Sequence, residues 1–184
     1  MRPRREATID DLYHVPEDGK AELVNGEIVR MPPTGGLPGY AGGQIFLSLS
    51  AYARRTGAGH AVPDNVGFIV NLPRRRSFSP DAAFYVGKLT MDFIEGAPVF
   101  AVEVRSKSEY GPAAERAMAA KRADYFAAGT LVVWDVDLRA GLVRAYRAAD
   151  PKRPTVRGRE AEADAEPAIP GWSMPVDDLF PPAR

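Results

Sequence analysis

The chain contains no cysteine. That excludes a disulfide framework, a thiolate zinc site and a thiol nucleophile. Histidine is scarce too. Only His14 and His60 occur, so a three-histidine zinc centre cannot be assembled within one chain. Net charge of either sign is also missing, with 24 Lys plus Arg against 24 Asp plus Glu. That balance argues against a passive nucleic-acid coat but permits a local basic surface. No apolar run approaches the ~20 residues that span a membrane. The basic start "MRPRRE" is not followed by an apolar segment, so it does not read as a secretory signal, and the cytoplasm is the expected location. For metal binding there remain carboxylate and backbone oxygens, which suit Mg²⁺ or Mn²⁺.

What is present suffices for a substantial core: 45% of the 184 residues are hydrophobic, consistent with one domain over 1–184. Thr8 and the acidic pair Asp10 and Asp11 predict a short helix over 8–15. Asn25-Gly26 between two apolar runs predicts a β-hairpin over 21–31. A loop is expected over 32–39 and a helix over 40–57, the latter ending at Gly57. The middle reads as strands: one bent or two short over 60–72, another over 78–87 and a third over 98–106. Pro112 and Gly129 bound a helix over 111–129. A buried strand over 131–137 and an edge or hairpin strand over 141–147 follow. The charged, Pro-rich stretch 148–168 is expected as a long loop, and the tail 169–180 to anchor through Trp172, Met174, Leu179 and Phe180. The order implies an α/β (α+β) domain around a central mixed sheet flanked by helices.

Two acidic residues stand inside apolar strands rather than in turns. Asp81 follows Pro80 at the head of "AAFYV", and Glu103 interrupts "VFAVEVRS". Neighbouring strands would bring the two carboxylates together, where mutual repulsion and burial raise their pKa values. A divalent cation relieves both problems, polarises a phosphate oxygen and acidifies a bound water. The plainer reading is that Asp81 caps a turn and Glu103 pairs with Arg105, two residues along on the same strand face.

Lys121 is the third candidate. It shares a helical stripe with Ala114, Ala117, Met118, Tyr125 and Ala128, where it is the sole charge; Glu115, Arg116 and Arg122 lie off that stripe. From there a lysine can orient a water or stabilise developing negative charge over the end of the Glu103 strand. Snorkelling along the core rim is the alternative.

Other features weigh less. "RRR" at 74–76 suits either phosphate contact or a solvated turn. The glycine-rich "PPTGGLPGYAGG" opens a helix but lacks the Gly-Lys-Ser/Thr ending of a P-loop, so no nucleotide cofactor is expected. Asp135 and Asp137 suit metal ligation or a strand end. His14 and His60 read as structural. Ser106 and Ser108 lack a Gly-x-Ser-x-Gly elbow.

In order along the chain, "ELVNGEIVRMPPTGG", "SPDAAFYV", "AVEVRSKS", "KRADYFAAG" and "LVVWDVD" resemble the Uma2 family (DUF820) of the PD-(D/E)xK nuclease superfamily. The likeness covers roughly residues 8–180. It implies a restriction-endonuclease-like core, Mg²⁺-dependent (or Mn²⁺-dependent) hydrolysis of phosphodiester bonds with DNA as substrate, and a homodimer. Pro80-Asp81 would be the PD element and Glu103 the acidic residue after it. With them the backbone carbonyl of Val104 would complete the metal ligands. The superfamily's lysine would fall at Arg105. In Uma2-like chains it comes instead from the following helix, which matches Lys121, with Lys107 as a second candidate. Glu22 matches a further acidic position of the family. The sequence departs from the pattern at Pro38, where the family commonly has histidine, at Asn25, where it has aspartate, and at Arg105. Two readings follow: a metal-dependent endonuclease, or a non-catalytic nucleic-acid-binding or dimerisation module of the same fold in which Arg105 neutralises Glu103.

Overall fold

The computed structural model describes residues 5–16 and 19–182. Helix α1 (Ile9–Tyr13) is capped by Thr8, whose side chain accepts from the Asp11 N–H while the Asp11 carboxylate accepts from the Thr8 N–H. This reciprocal pair satisfies two backbone donors that a helix start leaves open. Strands β1 (Lys20–Val24) and β2 (Glu27–Met31) form the expected hairpin. Asn25 and Gly26 have φ of 50° and 71°, the left-handed pair that a type I′ turn requires.

Helix α2 (Gly36–Thr56) begins four residues earlier than expected. Pro38 lies in its first turn, where a missing N–H has no intrahelical acceptor to lose. Strands β3 (His60–Pro63), β4 (Phe68–Ile69), β5 (Ser77–Phe78), β6 (Ala82–Tyr85), β7 (Ile94–Glu95) and β8 (Phe100–Val104) follow. The run 60–72 is thus two short strands. The run 78–87 is interrupted at Ser79, Pro80 and Asp81, so that Asp81 stands just before β6. Helix α3 (Pro112–Ala127) has Pro112 in its first turn. It connects β8 to its parallel neighbour β9 (Val132–Asp137), in which all six residues are buried. Strand β10 (Leu142–Arg147) returns antiparallel to β9.

The stretch 148–168 is not a long loop. It holds β11 (Asp150–Gly158), which pairs with β10, and β12 (Glu162–Asp164), which pairs with β13 (Ser173–Pro175). Hence β10 is an interior strand and β11 forms the rim. β11 carries Pro151, Lys152, Arg153 and Pro154, the residue types that blunt an exposed sheet edge. A 3₁₀ turn (Val176–Leu179) follows β13.

The central sheet runs β11-β10-β9-β8-β6-β3 and is antiparallel except at β8–β9. Strand alternation sorts its side chains. On one face Phe100, Val102, Val104, Trp134 and Val136 pack with Ile45, Leu49 and Tyr52 of α2 and with Trp172, Met174 and Leu179 of the tail. On the other face Ala101, Val133, Phe68 and Phe78 pack with Tyr125 of α3. Glu103 points to this second face. Tyr125 is the only buried residue of α3, so the helix covers the sheet through its C-terminal half and stands off it toward its N-terminus. No helix among the described residues is long and apolar enough to cross a membrane.

Candidate active site

Glu103 lies where β8 passes under α3. Its Oε2 is 2.8 Å from Lys121 Nζ, and its Oε1 accepts a 2.7 Å hydrogen bond from the Tyr125 hydroxyl. Lys121 and Tyr125 are four residues apart and so share one helix face. Tyr125 is fixed by stacking on Phe78, with ring centroids 4.0 Å apart. Lys121 therefore reaches down to the strand and does not snorkel outward.

Lys121 holds a second carboxylate. Its Nζ is 3.0 Å from Glu22 Oε1. Glu22 also accepts from the Ser79 N–H at 2.9 Å and from Arg75 Nη1 at 2.5 Å. Arg75 in turn donates through Nε to Asp124 at 2.9 Å. The middle arginine of "RRR" is thus buried and is neither a solvated turn residue nor a surface phosphate contact.

Asp81 lies beside this group. Its Oδ2 accepts from the Val104 N–H at 2.7 Å, and its Oδ1 from Lys20 Nζ at 2.7 Å. Lys20 also pairs with Asp64 at 2.7 Å. In an extended strand a residue's N–H and C=O point the same way, so the Val104 carbonyl faces the Asp81 side. Asp81 lines a cavity of about 150 Å³ with Asp64, Gly39 and Gly42 at the start of α2. Glu103, Val104 and Lys121 line another of about 180 Å³ beneath α3.

The electrostatics follow. Burial pushes the Glu103 carboxyl up to about 7; Lys121 opposes the rise, while Asp81 and Glu22 add to it. Glu22 is also buried, but Lys121, Arg75 and the Ser79 N–H overcome that penalty and hold its pKa below the ordinary value. Burial would lower Lys121, yet the Glu103 and Glu22 carboxylates hold its pKa above the usual lysine range. The same balance, with Asp81 and Glu103 as the anions, raises Lys20. Five carboxylates (Glu22, Asp64, Asp81, Glu103, Asp124) thus face three cations (Lys20, Arg75, Lys121).

Arg105 takes no part in this chain of contacts. Its Nε and Nη2 form a fork on Asp135, both at 2.7 Å, and Nη1 pairs with Glu115. Asp135 lies opposite Glu103 in the β8–β9 register, so the arginine crosses to the neighbouring strand instead of folding back on its own. Asp135 is thereby committed to an ion pair. Asp137 accepts from Tyr110, from the Ala140 N–H and from Arg144. Both carboxylates are thus engaged by protein donors away from the Asp81–Lys20 and Glu103–Lys121 contacts. Lys107 is exposed and lines a separate cavity with Arg139 and Leu138. His14 hydrogen-bonds the Asp10 carbonyl in α1, and His60 is exposed on β3.

Three residues of this network escaped the sequence reading, Lys20, Asp64 and Asp124, and Arg75 was read only as part of the surface run 74–76. Lys20 opens an otherwise apolar strand two residues before Glu22, and that period of two was the available signal, since it puts both side chains on one face.

A mixed sheet with one parallel crossover, carrying carboxylates on adjoining strands and a lysine from the crossover helix, defines a class of protein: the restriction-endonuclease-like α+β fold. Residues 7–177 match the model of the Uma2 family, described as "Putative restriction endonuclease". The chain belongs to that family. Among solved structures it is similar to a crystal structure of "a putative nuclease belonging to DUF820" from Anabaena variabilis ATCC 29413. The TM-score is 0.75 at 17% identity, over 94% of this chain and 97% of the other, a likeness of fold. No curated protein matches. Family and fold together suggest a restriction-endonuclease-like nuclease.

Proposed function

We propose that the protein is a metal-dependent endonuclease that hydrolyses phosphodiester bonds of DNA. One observation carries the reading. Lys121 lies against Glu103 at 2.8 Å, while Arg105, the residue at the superfamily's lysine position, is turned away into Asp135 and Glu115. Glu103 is therefore not neutralised by its neighbour on the strand.

The donor set suits a hard cation. Asp81, Glu103 and the Val104 carbonyl offer only oxygen, and each carboxylate oxygen retains a lone pair beyond the donor it already meets. Mg²⁺ is commonly held by one or two carboxylates with water filling the remaining positions. Among the described residues no group of three or more acidic or histidine side chains is arranged to hold a metal; the set in this reading is two carboxylates, a backbone carbonyl and water. Asp81 and Glu103 would hold Mg²⁺ or Mn²⁺, which when bound supplies phosphate polarisation and an acidified water. Lys121, held as an ammonium by Glu103 and Glu22, orients the attacking water and stabilises charge developing on the phosphate. In this state it is a donor and not a proton acceptor. Tyr125 fixes the Glu103 carboxylate from the opposite oxygen.

The test is cleavage of plasmid DNA by the purified protein with Mg²⁺ or Mn²⁺ and with chelator. Asp81→Ala, Glu103→Ala and Lys121→Ala are each expected to lower the rate by roughly 10²-fold or more. Undiminished cleavage by the first two would refute the assignment.

A second reading rests on a different observation. All four oxygens of Asp81 and Glu103 already meet a protein donor. That arrangement also suits a metal-free nucleic-acid-binding module. Calorimetric titration with Mn²⁺ separates the two: saturable binding lost in Asp81→Ala favours the enzyme, and no heat favours the module.

A further inference from the structure

The cavity beneath α3 is lined by four cations, Arg75, Arg105, Lys121 and Arg122, and by three carboxylates, Glu103, Glu109 and Asp135. Three of the cations are committed. Arg75 is held by Glu22 and Asp124, Arg105 by Asp135 and Glu115, and Lys121 by Glu103 and Glu22. Arg122 differs. Its side chain is 14% exposed, so it lies inward although the helical period set it off the inward stripe. Its guanidinium carbon lies over the Tyr146 ring of β10, 3.9 Å from the centroid. Its Nη1 is sealed from solvent with no hydrogen-bond partner. The nearest carboxylate oxygen, Asp135 Oδ2, is 3.8 Å away and already accepts from Arg105 at 2.7 Å.

An unmet donor on a buried ion is costly and calls for an explanation. The contact with Tyr146 satisfies none of the N–H donors of the planar guanidinium, of which Nη1 still lacks an acceptor. That planar fork matches two oxygens of a phosphate. We propose that Arg122 binds a phosphodiester group of the DNA strand within this cavity, beside Glu103 and Lys121. The proposal rests on the nuclease reading and adds a substrate-binding residue to it. The group bound there is held by charge and by the fork together, so the strand is registered against Lys121 instead of merely being attracted to the surface.

The test measures binding of a short fluorescent DNA duplex to the full chain across a range of salt, with Ca²⁺ present to limit cleavage. Arg122→Gln is expected to weaken binding about tenfold or more. The slope of log affinity against log salt should fall by about 0.9, the share of one duplex phosphate contact. Arg122→Lys keeps the charge and loses the fork, so it should restore the slope without restoring the affinity. If the glutamine variant does not fold, the lysine variant decides alone. Wild-type affinity and slope in a folded variant would overturn the proposal. Arg122-dependent binding without metal-dependent cleavage would sustain it and sink the catalytic reading, whereas a wild-type protein that binds no DNA would sink both.

Discussion

Replacing Arg105 by alanine strips Asp135 of its fork and leaves a carboxylate, 3% exposed, under α3. The wild-type pair makes two 2.7 Å bonds to Asp135, with Glu115 completing the guanidinium's contacts. Breaking a buried pair by removing one partner costs about 3–5 kcal/mol. For a chain of this size each kcal/mol moves the melting temperature by roughly 2–4 °C, so Arg105→Ala should lower it by roughly 6–20 °C. Arg105→Lys is the more pointed variant, because it writes the superfamily's lysine into the strand. An ammonium is a point charge that cannot fork. The variant should still lose about 1.5–3 kcal/mol, the scale of one charge-assisted hydrogen bond. It should gain no cleavage activity, because position 105 faces Asp135 and Glu115 instead of the Asp81–Glu103 pair. Pairing Arg105→Met with Asp135→Leu removes both ions and should bring stability back toward wild type. Calorimetric melting and plasmid cleavage read the two effects separately. An Arg105→Lys variant that melts like wild type and cleaves faster would refute the separation of Arg105 from the Asp81–Glu103 pair.

Trp172 packs between Phe100 and Trp134, with centroids 5.6 and 5.2 Å away, and donates to Ser48 Oγ. Trp172→Ala should cost about 3–5 kcal/mol in urea unfolding and abolish the near-ultraviolet dichroism of the tryptophan pair; retention of both would detach the tail from the core. The Asp11 carboxyl, held down to about 2 by the Thr8 and Arg5 hydrogen bonds, stabilises α1 above its ordinary pKa of 3.8 and loses that effect as pH falls through about 2. Titration by NMR should show the low value in wild type and a return toward 3.8 in Thr8→Ala; an ordinary wild-type value would contradict the capping box.

Local chemistry explains why much of the fold was legible along the chain. Asn25-Gly26 can adopt the positive φ of a tight hairpin, Pro112 suits a first helical turn, and the apolar runs at 100–104 and 132–137 suit buried strands. Edge status was not legible. Residues 150–158 carry two prolines and three basic residues, the composition of a loop, yet the same residues serve as a sheet rim because prolines and charges are tolerated where one side of a strand has no partner. Arg122 was misjudged for a related reason: a long side chain reaches around a helix, and Tyr146, on a strand beyond the next, draws it inward.

By itself the sequence determined most of the elements as far as β10, and with them a carboxylate in β8, an aspartate before β6 and a lysine on the apolar stripe of α3. Those follow from periods of two and of 3.6, which are properties of neighbouring residues. Which charge meets which was decided only in three dimensions. Lys20 and Asp81 are 61 residues apart, Arg75 and Glu22 53, Arg105 and Asp135 30. Ion-pair choice carries no period along the chain. It depends on strand register and on which carboxylate lies within reach of a fork, and here the β8–β9 register set Asp135 opposite Glu103 and drew Arg105 away from it.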